Sequence, residues 1–271
     1  MQQRIFDSHA HYDDEKFGTV LERENLLEKL HSNGSVSMIL NAGAGLESTK
    51  ESSKLAEKFD FIYFSAGVHP ENAHTDGISD GWLETIRNYA LHDKCKAIGE
   101  IGLDYYYGKD TEKIQKEVFR AQMSLARSLS LPVIIHDREA HADCMEIISE
   151  FPEVKGVFHS YSGSFEMAKE LFKKGWYISF NGIITFKNAR KTVETAEKLT
   201  DYENGKYISR VLVETDCPYL SPVPHRGEIN NSGNIIHTAK KAAELLDMTS
   251  EAFCELTYVN ACRLYGLEEQ I

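Results

Sequence analysis

The sequence predicts an α/β fold of the (β/α)8 TIM-barrel class, built as a single domain over residues 1–271. Three observations lead there. Eight short apolar segments recur along the chain, stretches of helical periodicity separate them, and most segments end in His, Asp or Glu. Barrel strands that carry a site at their C-terminal mouth look like this. The length of 271 residues suits the fold, which commonly takes about 250 residues as one domain.

The predicted strands are Arg4–His9, Met38–Ala42, Ile62–Val68, Ala97–Ile101, Val133–His136, Val157–His159, Trp176–Phe180 and Val211–Glu214. Their alternation with helices argues for parallel βαβ units. Leu26, Leu27 and Leu30 ahead of Gly34 mark the first helix. From Thr111 to Leu129, Ile114, Val118, Gln122, Leu125 and Leu129 share one face, and Phe119 and Ala126 widen it. Ser164 is placed to cap a helix whose inner face is Phe165, Ala168, Leu171 and Phe172, with Gly175 ending it in the left-handed conformation. The Pro/Gly/Ser/Asn-rich run from Pro218 to Asn234 follows the last strand, where a barrel has an active-site loop. Ile235–Leu246 and Ser250–Tyr265 then read as two closing helices.

Composition narrows the functional classes. The net charge of −12, from 42 acidic against 30 basic residues, disfavours a protein that coats nucleic acid through bulk electrostatics. It leaves room for a phosphodiester substrate, because bound divalent ions and a few local Lys or Arg reverse the sign inside a cleft. The cysteines Cys95, Cys144, Cys217, Cys254 and Cys262 form no Cys-x-x-Cys pair, so free thiols in a reducing compartment are expected. No apolar run approaches the roughly 18 residues of a membrane helix, and there is no signal-peptide h-region. The expectation is a cytoplasmic monomer with no membrane partner.

In Ile5-Phe6-Asp7-Ser8-His9-Ala10-His11, alternation along a strand projects His9 and His11 to the same side, a pincer for one ion. An isolated His-x-His is as readily a hydrogen-bonded structural pair, so the decision rests on the other strand ends. They continue the pattern: Gly67-Val68-His69-Pro70; Gly99-Glu100-Ile101-Gly102-Leu103-Asp104; His136-Asp137-Arg138; His159-Ser160-Tyr161; Glu214-Thr215-Asp216. Burying so many ionisable groups at one mouth without an ion is costly. Four histidines and two carboxylates can hold a pair of ions with one carboxylate bridging. Such a pair clamps attacking and leaving oxygens and generates hydroxide near neutral pH. Imidazole with carboxylate suits Zn²⁺, Mn²⁺ or Fe²⁺. Cys217 reads as a neighbour of the site.

His9-Ala10-His11, Gly99-Glu100-Ile101-Gly102-Leu103-Asp104-Tyr105-Tyr106, Pro132-Val133-Ile134-Ile135-His136-Asp137-Arg138, His159-Ser160-Tyr161-Ser162-Gly163-Ser164 and Glu214-Thr215-Asp216-Cys217-Pro218-Tyr219-Leu220 resemble the successive motifs of the TatD-like metal-dependent deoxyribonucleases, in the amidohydrolase superfamily. The resemblance runs from the first strand to Asn260. It implies two divalent ions, drawn from Mg²⁺, Mn²⁺ and Zn²⁺, with His9, His11 and Asp216 on the first, His136 and His159 on the second, and Glu100 between them. It further implies that Asp216 accepts a proton from the attacking water, that His69 meets the scissile phosphate or leaving group, and that Glu214 orients the ligands from behind. Arg138 and Arg226 are candidate phosphate contacts, since a guanidinium forks onto phosphate oxygens. The implied reaction is DNA cleavage, at single strands or ends. One departure bears on the substrate: Arg226-Gly227-Glu228-Ile229-Asn230-Asn231-Ser232 replaces the second Arg, the Glu and the Pro of the family's more basic loop.

A second expectation is a hydrolase of a small-molecule ester, lactone, amide or phosphoester, as other amidohydrolases are. Glu100 in the bridging position weighs against the phosphotriesterase-like branch, which uses a carboxylated lysine there. A non-catalytic barrel would have lost ligands, and all six are present. Bland readings stand beside the others. His69-Pro70 can simply cap a strand. Tyr105, Tyr106 and Tyr107 can stack on bases or pack under a loop. His31, His74, His92, His141, His225 and His237 read as loop or surface histidines, and Lys16, Lys109 and Arg190 as solvated.

Overall fold

The structure, a computed structural model, describes residues 4–267. Eight strands follow one another in chain order through one sheet, and the registered neighbours run parallel. They are β1 Phe6–Ala10, β2 Met38–Ala42, β3 Ile62–Ala66, β4 Cys95–Asp104, β5 Val133–Arg138, β6 Gly156–Phe158, β7 Tyr177–Phe180 and β8 Val211–Val213. The helices between and after them are α1 Val20–Ser32, α2 Leu46–Lys58, α3 Trp82–Ala90, α4 Glu112–Leu129, α5 His141–Ser149, α6 Phe165–Lys173, α7 Arg190–Asp201, α8 Ile235–Leu245 and α9 Ser250–Leu264. This is the connectivity of the (β/α)8 fold, as the sequence predicts. The strands are short and buried almost throughout, which parallel strands covered by helices require.

The chain divides into two compact units. One comprises Met1–Asn41 with Ser160–Ile271, the other Ala42–His159. In the first, α9 covers β1 and β8. The Phe6 ring lies 6.3 Å from that of Tyr258 and 5.9 Å from that of Tyr265. Asn260 donates to the carbonyls of Ile208 and Val211 at 3.1 and 2.9 Å, so this helix ties down the entry to β8. Burying one phenyl ring such as Phe6 contributes about 1.5–3 kcal/mol. In the second unit, α4 packs on β4. Gln122 ties the same helix to the segment after β3, accepting from Val68 N–H at 2.7 Å and donating to its carbonyl at 3.0 Å.

Two element readings change. On α4 the buried residues are Gln115, Val118, Phe119, Gln122, Met123, Leu125 and Ala126, while Ile114 and Leu129 are only half-buried. Gln122 is buried as expected, and the face is rotated toward Gln115, which serves the backbone of Asp104 and Gly108 and so takes a core position. Strand β4 extends past Ile101 to Asp104, since its ladder with β5 continues through Gly102↔His136 and Leu103↔Asp137 to Asp104↔Arg138. The local signals hold elsewhere. Ser164 caps α6 by accepting from Met167 N–H, and Gly175 follows with φ 89°. Thr19 and Glu22 form a capping box on α1, a Thr-x-x-Glu signature. Among the described residues no helix is long and apolar enough to cross a membrane.

Candidate metal centre

In the first unit the strand pincer forms. His9 and His11 bring their Nε2 atoms within 3.0 Å of each other. Asp216 joins them, its Oδ1 3.4 Å from His11 Nε2 and 3.7 Å from His9 Nε2. Backbone pairing delivers Asp216 there: its N–H donates to the His9 carbonyl at 2.9 Å, and His11 N–H donates to that of Cys217 at 2.8 Å. Asp216 has φ 57°, a left-handed conformation that turns the chain as it leaves β8. Glu214, fully buried, accepts from Ser160 N–H at 2.7 Å, one residue after His159 in sequence.

Beneath the pincer lies Asp7, which sequence reasoning passed over. It is completely buried. Its carboxylate accepts from Thr215 N–H at 2.9 Å, from the Thr215 hydroxyl at 2.6 Å and from the Ser232 hydroxyl at 2.6 Å. Tyr12 donates to Ser232 at 2.8 Å. The network fastens both ends of the loop after β8 to β1. Burial pushes the Asp7 carboxyl up to about 6, against the pull of the Ser232 and Thr215 hydrogen bonds.

In the second unit the cluster centres on Glu100. Its Oε1 lies 2.7 Å from His159 Nε2, 2.8 Å from His136 Nδ1 and 3.6 Å from His69 Nε2, and the two nearer nitrogens are 3.3 Å apart. His69, Glu100 and His136 form one group able to hold a metal ion. The far side of His136 meets a residue the sequence reading left without a role: Nε2 sits 3.1 Å from Asp104 Oδ2. A carboxylate on one imidazole nitrogen fixes the tautomer that leaves the other free for a cation. The signal was available, because Glu100 and Asp104 are four apart on one strand and face the same way. Gly102 between them has φ 141°, and a Cβ there would meet the His136 carbonyl oxygen at 2.0 Å. Only glycine lets β4 and β5 approach so closely.

Charge in this cluster is balanced toward a cation. Burial opposes protonation of His136, but its hydrogen bonds to Asp104 and Glu100 outweigh that and raise its pKa. Asp104 is held below the usual carboxylate range in spite of burial, by His136 and by Tyr107 N–H. Glu71 is pushed up, first by burial and then by the charges of Asp104 and Glu100.

Both donor sets fit divalent ions. Ligand atoms about 2.0–2.2 Å from a shared ion, at angles of roughly 90–110°, lie about 2.8–3.6 Å from one another. The separations are 3.0, 3.4 and 3.7 Å in the first unit and 2.7, 2.8 and 3.3 Å in the second. A proton joins two atoms, whereas each cluster converges three donor atoms that one cation satisfies together.

The remaining candidates sort by surroundings. His69 caps the turn after β3, its Nδ1 accepting from Glu71 N–H at 3.2 Å, while its Nε2 faces Glu100 at 3.6 Å. Arg138 is exposed, with its guanidinium 4.2 Å from the Tyr106 ring centroid and 4.7 Å from that of Tyr107. Arg226 is exposed as well. It lies 3.9 Å over the Phe186 ring and donates to the Ser221 carbonyl, so protein contacts already occupy much of it. Tyr105 packs inward, donating to Asp143. His141 pairs with Asp137 at 2.8 Å, and His225 with Glu228 at 2.9 Å. His92 stacks edge-on with Phe64, and His31 and His74 are exposed. Lys16 sits 3.9 Å over the Tyr219 ring. Lys109 and Arg190 are solvated.

Sequential parallel strands with His, Glu and Asp donors clustered at their C-terminal ends define a metal-dependent hydrolase of (β/α)8 topology. The family described as TatD related DNase matches residues 6–266, and the chain belongs to the TatD family. It is 38% identical over 265 residues to the uncharacterized metal-dependent hydrolase YabD of Bacillus subtilis, covering 97% of this chain and 99% of that one. It is 34% identical over 268 residues to the uncharacterized metal-dependent hydrolase YcfH of Escherichia coli, covering 97% and 96%. Among solved structures, the crystal structure of YjjV, a TatD homolog from E. coli, superposes with a TM-score of 0.86 at 24% identity, over 98% of this chain and 100% of that one. That likeness speaks for the fold.

Proposed function

We propose that this TatD-family hydrolase is a deoxyribonuclease, cleaving phosphodiester bonds of single-stranded DNA or of fraying ends, and that residues 1–271 act as one catalytic domain. The Glu100 cluster carries this reading: a buried carboxylate oxygen shared at 2.7–2.8 Å by two imidazoles from different strand ends. In the proposal His9, His11 and Asp216 hold one divalent ion, His136 and His159 hold another, and Glu100 serves both. Divalent ions bound there polarise a phosphoryl oxygen and acidify water.

The chain's own residues supply the rest. Asp216 is the most open carboxylate of the set, at 14% side-chain exposure, and accepts the proton of the attacking water. His69, held by its cap to Glu71 N–H, orients the scissile phosphate and gives a proton to the leaving oxygen. Asp104 keeps His136 in the tautomer that binds through Nδ1. Glu214 anchors the chain beyond His159 through Ser160 N–H. Arg138 and Arg226 contact substrate phosphates. The five buried free thiols fit a reducing cytoplasm, and a monomer is proposed.

The test is cleavage of end-labelled single-stranded and duplex DNA by metal-reconstituted protein, beside Glu100→Ala and an EDTA control. Metal-dependent shortening that disappears in the variant is expected. No cleavage while two ions per chain remain bound would transfer the assignment to a hydrolase of small-molecule esters, lactones, amides or phosphoesters.

A further inference from the structure

We propose that Tyr106, Tyr107 and Arg138 form a stacking platform for a nucleobase beside the scissile phosphate, aligned with the metal centre through Asp104. The proposal rests on the deoxyribonuclease reading and deepens it.

Three observations carry it. First, both rings are presented to solvent, Tyr106 being 56% and Tyr107 64% exposed. They meet edge to face with centroids 4.6 Å apart. Adjacent large aromatics left open beside a polar cluster mark a binding surface. Second, Arg138 lies over both rings and makes no side-chain hydrogen bond or ion pair among the described residues. Its charge is felt by Asp104 and Glu71, but with no carboxylate hydrogen-bonded to it the guanidinium keeps its fork for an incoming anion while its π-face rests on the tyrosines.

Third, one carboxylate orders the platform and a metal-binding histidine together. Asp104 Oδ1 accepts from the N–H groups of Tyr106 and Tyr107, both at 2.9 Å, while Oδ2 holds His136 Nε2 at 3.1 Å. The β4/β5 ladder adds to this, pairing Asp104 with Arg138, and Tyr105 N–H donates to the Arg138 carbonyl at 2.9 Å. The platform is thus a continuation of the strands that bear Glu100 and His136. Beside Tyr107 a cleft opens, lined by Glu71, His74, Gly108, Asp110 and Thr111. Its carboxylates disfavour a phosphate, so the sugar-phosphate chain lies on the Arg138 side and the base lies over the rings. Stacking is tolerant of sequence because every base has a π-face.

The test is steady-state cleavage by the full-length, metal-loaded protein of a single-stranded oligodeoxynucleotide and of a strand of equal length made of abasic tetrahydrofuran units. Wild type is compared with Y106A/Y107A and Y106F/Y107F. The expected result is a KM for the natural strand about fivefold to a hundredfold higher in the alanine variant, restored by phenylalanine, with kcat little changed. Wild type should lose a similar factor on the abasic strand, and the alanine variant should lose no more there. Equal KM for the two strands in wild type overturns the platform and needs no variant to fold. A kcat loss at constant KM overturns it too, since that marks a purely structural role. Both of these leave the nuclease reading intact. Failure of wild type to cleave either strand overturns the nuclease reading and the platform with it.

Discussion

The two compact units each gather a cluster of histidines and carboxylates able to hold a cation, and they do so by different means. In the first, His9 and His11 sit two residues apart at the end of one strand, and Asp216 arrives by backbone hydrogen bonds between β1 and the segment after β8. In the second, the side chains come from beyond β3, from within β4 and β5 and from the residue after β6, residues 69 to 159. The supporting acids differ accordingly. Asp7 holds no ligand. It fixes a loop through three hydrogen bonds from hydroxyls and an amide, and burial keeps its carboxyl up to about 6. Asp104 binds His136 directly and stays below the usual range. One unit therefore depends on a fold-holding acid under the site, the other on a charge-setting acid within it.

Substitutions can break that contrast, beginning with the largest effect. Glu100→Gln keeps the shape of the second cluster and removes its charge. Turnover of DNA or of bis(p-nitrophenyl) phosphate should fall by more than about 10³-fold, as for removal of a group central to catalysis. Retention of even a tenth of the activity would contradict the assignment. His9→Ala and His136→Ala separate the units. By plasma mass spectrometry, wild type should carry two ions per chain and each variant about one.

Asp104→Asn should lower activity or metal affinity by about 10–100-fold, the usual cost of losing the carboxylate behind a ligating histidine, while the urea midpoint moves little. Asp7→Ala should do the reverse. Removing the acceptor of three buried hydrogen bonds should cost about 2–4 kcal/mol in urea unfolding. If the Asp7 variant unfolds like wild type, the loop does not depend on this network.

The smallest effect sharpens the comparison by leaving both clusters alone. Asp143 on α5 is held below the usual carboxylate range, first by Lys116 at 2.8 Å and then by Tyr105. A carboxyl lowered in the folded state contributes stability that is present above its unfolded value of about 3.9 and lost as pH falls through the folded one. In Asp143→Asn the melting temperature should therefore decline less steeply than in wild type below about pH 4. Equal slopes would mean that the half-buried pair contributes nothing measurable.

Much of the fold was legible because its signals are local. All eight strands and both closing helices fall within a few residues of their predicted places, since apolar runs, Ser164 and Gly175 act on their own neighbours. The α4 face was misread by part of a turn. Gln122 lies on the buried face the periodicity predicts, but Gln115 looks polar in sequence and is buried because the Asp104 and Gly108 backbone groups need a partner there.

By itself the sequence determined the alternation of strands and helices and which residue types stand at the strand ends. It also determined the His9/His11 pincer, because a two-residue period is built into any strand. Only tertiary structure decided that Glu100 meets His136 and His159, that Asp104 stands behind His136, that Arg226 lies on Phe186 while Arg138 stays open, and that Asp7 secures Thr215 and Ser232. These contacts join residues 32 to 225 positions apart. Their partners are chosen by strand register and loop closure, and no local propensity encodes them.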